Sequence, residues 1–349
     1  MKKVFALFLM IVVLMSGLTA CGTSAPAPEN DGKSEEITTY KVGICNYVDD
    51  ASLNQIVDNL QQAITDISLN QAPVEVLVEN CNADSGVLAQ IIQNFLAEEV
   101  DVMVAVATPV AMAMQAATEG TDVPVVFAAV SDPLGAGLVQ SLEKPGSNLT
   151  GTSDYLDTEA MIRLILGIQP EIQKVGLLYD LGQDSSKAPI EQAEALLTDE
   201  GVEVVHATGT NVDEIRLAAS SLISQGVEAV FTPSDNTVMT AELSIYEDFA
   251  NAGVLHYAGA DSFALNGAFL GYGVDYANLG RETGAMVCEI LFEGKNPAEM
   301  PVRTFDNGTA TINTDICAIV GKDYDRLASE LSPYCTHVQE IQTAESFDD

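Results

Sequence analysis

The chain has 349 residues, with 14 Lys plus Arg against 51 Asp plus Glu and a formal charge of -37. That length suits two domains better than one, and the charge argues against partners whose phosphates or anionic headgroups need Lys and Arg. With 47% hydrophobic residues the chain has the material for a buried core, so most of the acids are expected to be a solvated surface and not a sign of disorder.

Lys2 and Lys3 precede an apolar run from Val4 to Met15, and Leu18-Thr19-Ala20-Cys21 follows. This is the charged, apolar and small-residue order of a secretory signal, and the run is shorter than the roughly 20 residues of a membrane span. A cysteine after Leu-x-Ala resembles the lipobox of bacterial lipoproteins. That resemblance implies a signal peptide over residues 1–20, acylation (palmitate) at Cys21 and a lipid-anchored protein on the extracellular face of the cell membrane. Residues 21–38, rich in Pro, Ser and Gly, read as a flexible tether.

Beyond the tether, β-branched runs alternate with amphipathic segments. Strands are predicted at Lys41–Asn46, Val74–Val78, Val102–Ala107, Val123–Ala128, Lys174–Tyr179, Val202–Ala207, Ala229–Thr232 and Val254–Ala258. Helices are predicted at Leu53–Ile67, Gly86–Glu98, Val110–Ala117, Glu159–Gly167, Ile190–Glu200 and Asn236–Ala252. Continuous apolar strands separated by helices predict α/β architecture with parallel sheets covered on both faces. Lys41-Val42-Gly43-Ile44 is echoed by Lys174-Val175-Gly176-Leu177, and Ala107-Thr108-Pro109 by Phe231-Thr232-Pro233, which points to two Rossmann-like lobes of similar order.

Ligands of open α/β sheets sit beyond the carboxyl ends of the strands. Polar residues gather there: Asn46-Tyr47-Val48-Asp49-Asp50, Thr108-Pro109, Ser131-Asp132-Pro133, Ser234-Asp235-Asn236 and Gly259-Ala260-Asp261-Ser262. Thr108 with Pro109 reads as a helix start with N–H groups directed at the cleft, suited to a carboxylate. Asp235 and Asp261 suit an ammonium group, so an α-amino acid fits between the lobes. Tyr47, Tyr155 and Phe127 are candidate apolar walls. Each of these residues, taken singly, is also explained as a cap or as core.

Five further cysteines remain: Cys45, Cys81, Cys288, Cys317 and Cys335. Cys45 and Cys81 fall near the ends of neighbouring strands and are either bridged or buried thiols. The histidines are scattered, and no Cys or Ser has a His and acid partner at a spacing that signals a nucleophile. No metal, cofactor or catalytic residue is expected, and the protein is not read as an enzyme. Asn148-Leu149-Thr150 and Asn307-Gly308-Thr309 match the glycosylation sequon without a context that gives it weight.

Several long runs resemble one family. Val104 to Ala111, Pro124 to Val139, Lys144-Pro145-Gly146-Ser147-Asn148-Leu149-Thr150-Gly151, Thr232-Pro233-Ser234-Asp235-Asn236-Thr237, Gly271-Tyr272-Gly273-Val274-Asp275-Tyr276 and Leu279 to Gly284 look like the ABC-transporter substrate-binding family that includes tryptophan-binding lipoproteins. The resemblance implies the type I periplasmic-binding-protein fold, two lobes joined by a three-segment hinge. Crossovers are implied at Asn148–Ser153, at Gly271–Asp275 and near Pro301. The N-terminal lobe then comprises 39–150 and 276–300, the C-terminal lobe 151–275 and 301–322, and 323–349 an acidic extension.

The implied pocket draws on Asn46, Tyr47, Thr108, Pro109, Asp132, Tyr155, Asp235, Asn236, Asp261 and Asp275. The implied function is capture of a small solute, favouring an aromatic amino acid, and delivery to an ABC permease and its ATPase by a monomeric receptor. The alternative is a sensory receptor on the same lobes that signals to a membrane kinase or chemoreceptor. A secreted hydrolase on this fold is the third reading.

Overall fold

A computed structural model describes residues 39–344. The signal, the Cys21 lipidation and the tether lie outside the described residues. In the first lobe β1 (Tyr40–Asn46), α1 (Ala51–Ser68), β2 (Val74–Asn80), α2 (Ser85–Ala97), β3 (Val102–Val106), α3 (Thr108–Thr118), β4 (Val125–Ala128) and the short β5 (Leu149–Gly151) build a parallel sheet of order β2-β1-β3-β4-β5. In β1 the residues Val42 and Ile44 are fully buried, and all of Val102 to Ala105 of β3 is buried. This is why these strands read as continuous apolar runs, with helices on both faces.

The second lobe repeats that order. It contains α4 (Thr158–Ile168), β6 (Lys174–Tyr179), α5 (Asp184–Asp199), β7 (Glu203–Thr208), α6 (Val212–Ser224), β8 (Ala229–Thr232), α7 (Asn236–Ala241), α8 (Tyr246–Asn251), β9 (Leu255–Ala258), α9 (Asp261–Leu265) and β10 (Leu270–Gly273). The strands β7-β6-β8-β9-β10 match β2-β1-β3-β4-β5 one for one, so the echo in the sequence is an echo in topology. The chain then returns through α10 (Tyr276–Glu293) to the first lobe. It crosses back to add β11 (Thr309–Asn313), α11 (Thr314–Val320), α12 (Tyr324–Leu331) and β12 (His337–Ile341).

Two differences from the sequence reading have local causes. The helix expected over Asn236–Ala252 is broken by a 3-10 turn at Glu242–Ser244. Glu242 is fully buried there and accepts a hydrogen bond from His256 Nδ1 at 2.9 Å, while His256 Nε2 pairs with Thr232 Oγ1 at 2.9 Å. A buried carboxylate needs such a partner, and the turn delivers it. The segment read as an acidic extension is built into the second lobe: β11 pairs antiparallel with β10, and β12 pairs parallel with β11 as the sheet edge.

The crossings are tied to one another. Arg303 N donates to Gly151 O and Ser153 N to Arg303 O, both at 2.9 Å, which joins the first crossing to the third. The Arg303 guanidinium forks to Glu282 Oε2 at 2.6 Å and Glu289 Oε1 at 2.8 Å on α10, the helix that follows the second crossing. Thr152 and Thr283 share a buried hydroxyl pair at 2.8 Å.

Helix α10 lies against α1 through two glycines one turn apart. A Cβ on Gly280 would stand 2.5 Å from Ile56 O, and one on Gly284 would stand 2.8 Å from Leu60 O and Ala63 Cβ. Backbone cannot yield as a side chain can. Gly280→Ala is therefore expected to destabilise by about 1 kcal/mol, an overpacking cost of about 2 kcal/mol less about 1 kcal/mol of helix propensity. Urea unfolding checks this, and a gain in stability would mean that the two helices separate freely.

Candidate functional site

The carboxyl ends of both sheets face one another across a cleft that narrows to a cavity of about 20 Å³, room for about one water. A solute enters only when the lobes part. Four long helices start at this cavity: α1 brings Ser52 and Leu53, α3 brings Thr108, α5 brings Ser185 and α10 brings Tyr276.

The start of α3 is unusual. Ala107 precedes it with φ 78° and ψ 156° and supplies no side-chain cap, and Pro109 occupies the first turn. The first N–H groups of a helix lack intrahelical partners and carry the positive end of its dipole. Ala129, also in the cavity wall, has φ 52°. Left-handed backbone costs an alanine of order 1–3 kcal/mol and clusters at functional sites. Here it turns the ends of β3 and β4 so that backbone, and not bulky side chains, faces the cleft.

Among the described residues Asp154 is the only charged one in the cavity wall. It is 6% exposed, and it accepts hydrogen bonds from Ser131 Oγ at 2.9 Å and Tyr276 Oη at 3.2 Å. Burial pushes its carboxyl above the ordinary range, against the two hydroxyl bonds that favour the anion. Asp154 follows the first crossing directly and so stands at the hinge between the lobes.

The residues expected from sequence divide by place. Thr108 and Asn236 line the cavity, and Asn236 Nδ2 donates to Gln183 Oε1 at 3.1 Å. Asn46 is buried beside the strand end, its Nδ2 on Asn54 Oδ1 at 3.0 Å and its Oδ1 without a partner among the described residues. Tyr47 and Pro109 line a separate, mostly apolar groove between α2 and α3, of about 530 Å³.

Asp235 lies under the cavity and is fully buried. Its Oδ1 accepts from Thr237 N and Val238 N, both at 3.0 Å, and its Oδ2 from Asp180 N at 2.8 Å and Ser186 Oγ at 2.6 Å. With four donors in place it caps α7 and fastens α5 to it, which leaves no lone pair for an incoming amine. Asp261 stands at the cleft edge, where it accepts from Ser52 Oγ across the lobes at 2.7 Å.

Three residues are exposed and stand away from the cavity. Asp132 is exposed and receives Gly135 N at 2.8 Å. Asp275 is exposed and caps α10 through Asn278 N at 2.8 Å. Tyr155 is 53% exposed. Of the expected aromatic walls Phe127 is core, fully buried in β4. Asp154 itself was missed, although it stands next to Tyr155; the one signal for it is that it is the first acid after the Leu149-Thr150-Gly151 crossing.

Cys45 and Cys81 are free buried thiols, as are Cys288 and Cys317, while Cys335 is half-buried. Cys81 Sγ donates to Tyr47 O at 3.2 Å. Among the described residues no group of three or more His, Cys, Asp or Glu gathers to hold a metal, and no helix is long and apolar enough to cross a membrane.

Comparisons with known proteins agree with this architecture. The family profile described as ABC transporter substrate binding protein matches residues 41–324. A tyrosine-binding protein of Clostridioides difficile (strain R20291) is 28% identical over 347 residues, covering 98% of this chain and 99% of that protein. A Streptococcus pneumonia ABC domain solved in complex with L-Trp superposes with a TM-score of 0.79 at 28% identity, covering 87% of this chain and all of that one. The ligand-free, open structure of a Clostridium difficile substrate-binding protein with adhesive properties gives 0.66 at 26% identity, again over 87% of this chain and all of the other. The type I periplasmic-binding-protein fold is thus the fold of this protein, and the chain belongs to the ABC transporter substrate-binding protein family.

Proposed function

We propose that the protein is the extracellular, lipid-anchored receptor of an ABC importer, and that its solute is an aromatic amino acid of the tyrosine or tryptophan kind. The observation that carries the solute class is the pairing of Asp154, the single carboxylate of the cavity wall, with the uncapped start of α3. An α-amino acid is a zwitterion: its ammonium suits a buried carboxylate, and its carboxylate suits helix N–H groups. Leu53, Met239 and the alanines 107, 129 and 260 give the apolar part of the same wall, and Ser131, Ser234 and Tyr276 its hydroxyls. The similarity to a tyrosine-binding protein and to an L-Trp complex supports an aromatic side chain.

The mechanism is hinge closure. With the lobes apart, both charged ends of the solute meet donors and acceptors that are already aimed. As they close, water leaves and each charge-assisted bond strengthens. The closed form is then the one recognised by a permease. The anchor at Cys21 rests on the Leu18-Thr19-Ala20-Cys21 motif, and the external location rests on that motif together with the family. Catalysis plays no part in this reading.

Asp154→Asn keeps the shape and the hydroxyl contacts but removes the charge. It is expected to weaken L-tyrosine or L-tryptophan binding by about 10- to 150-fold, the equivalent of about 1.5–3 kcal/mol, in isothermal calorimetry. Unchanged affinity would remove Asp154 from the ammonium site. If a panel of aromatic amino acids gives neither heat nor thermal shift, the solute class is wrong. Because the chain contains no Trp, tryptophan fluorescence of the complex reports bound ligand directly.

Asp235→Ala separates fold from site. It strands the two α7 N–H groups, Asp180 N and the Ser186 hydroxyl, and is expected to cost about 3 kcal/mol of stability. A chemical denaturation midpoint equal to that of the wild type would show that the four bonds are not formed. At Ala107 glycine relieves the left-handed strain, and Ala107→Gly is expected to gain about 1 kcal/mol after the backbone entropy cost, read as a higher melting temperature.

A further inference from the structure

The lobes meet at the cleft edge through acids. Asp50 caps α1 by accepting from Leu53 N at 3.1 Å and is 7% exposed. Ser52, in the first turn of α1, reaches into the second lobe, donating to Asp261 Oδ1 at 2.7 Å and accepting from Ser262 N at 3.2 Å. Ser52 and Ser262 are buried and Asp261 is half-buried. The titratable groups on the neighbouring elements are Asp49 before α1, Asp275 and Tyr276 at the start of α10, and Asp154 behind Tyr276. Among the described residues no ion pair reaches Asp50 or Asp261. Asp50, two residues before Ser52, and Asp261, which takes the Ser52 hydroxyl, thus stand on opposite lobes at one contact, with no ion pair to either among the described residues.

We propose that Asp50, Ser52 and Asp261 form a proton-dependent clasp between the lobes, so that closing on a solute takes up protons and the receptor grips more tightly in acid than at neutral pH. The clasp rests on the reading of this cleft as the solute site. Burial, with repulsion from Asp261, pushes Asp50 up to about 6. Burial, with a smaller repulsion from Asp275 and against the Ser52 bond, pushes Asp261 up to about 6.

The sign follows from the open state, where water surrounds both carboxyls and they titrate near the ordinary value of about 4. Closure is then independent of pH below about 4, weakens as pH rises from about 4 through 6, and levels off above. Between pH 5 and 8 each carboxyl contributes a fall of about tenfold in affinity. A free amino acid holds one charge state across that window, so the solute adds no titration of its own.

The test is calorimetry of L-tyrosine and L-tryptophan from pH 5 to 8, in two buffers of different ionisation heat. The variant is Asp50→Asn with Asp261→Asn, which keeps the α1 cap and the acceptor for Ser52. The expected result is an affinity that falls as pH rises through about 6, proton uptake on binding at pH 6, and a flattened profile in the double variant. A flat wild-type profile overturns the clasp. So does a pH dependence kept in full by the double variant, which assigns it to Asp154.

If neither amino acid binds at any pH, the solute reading fails and the clasp is read from small-angle scattering of the protein alone. The radius of gyration is then expected to increase from pH 5 to 8 in the wild type and not in the double variant, and a constant radius overturns the clasp as well.

Discussion

A chain that crosses three times between two lobes must hold its crossings together without welding the lobes, and Arg303 does this. Its backbone bonds to the first crossing at Gly151 and Ser153, and its guanidinium forks to Glu282 and Glu289 of α10. One residue therefore joins the first and third crossings to the helix that follows the second. The protein has 14 cationic side chains against 51 acidic ones, and a bidentate, partly buried Arg is the most directional use of one. Among the described residues all of its hydrogen-bond partners lie at the crossings and on α10, an arrangement that suits the hinge closure proposed above. Asp154 follows Ser153 directly, so the same bundle fixes the acid at the heart of the cavity.

The net charge says little about the solute, since exposed charges farther away than about 8 Å are screened at physiological salt. What distinguishes the acids is who donates to them. Asp235 has four donors and is structural. Asp154 has two hydroxyls, so capacity remains for a cationic donor. Asp50 receives Leu53 N and Asp261 receives the Ser52 hydroxyl across the lobes, and among the described residues neither has an ion-pair partner. Three carboxyl environments thus stand within one cleft, one fully bonded into the fold and two kinds open to the roles proposed above, and the difference comes from local donors in each case.

Much of the fold was legible because parallel strands buried on both faces leave unbroken apolar runs, as at Val102 to Val106. Features set by tertiary contacts were not. β5 has only three residues, too few for a periodic signal. The break at Glu242 depends on His256 from another strand, and the edge strand β12 alternates weakly because one of its sides is open to solvent. In the site the difficulty was chemical: Asp before a helix is equally a cap and a ligand in sequence. Asp235 and Asp275 cap helices and Asp132 closes a turn through Gly135 N, whereas Asp154, with no helix starting directly after it, is the acid facing the cavity.

The two lobes share a topology but offer different chemistry to the cleft, and this fixes how a solute must lie. In the first lobe the strand ends are Ala107 and Ala129, both left-handed, and the start of α3 is bare backbone. In the second the equivalent ends are Ser234 and Ala260, with Ser234 Oγ already donating to Gly259 O at 2.9 Å, and α7 is capped by Asp235. Gly259 has no room for a side chain, since a Cβ would stand 2.7 Å from Ser234 N. The start of α3 is thus left without a side-chain cap, while α7, its counterpart in the second lobe, is capped by Asp235. In the function proposed above, the bare start of α3 takes the solute's anionic group and Asp154 at the hinge its cationic one, so that the remainder points toward Met239 and Ala260 of the second lobe.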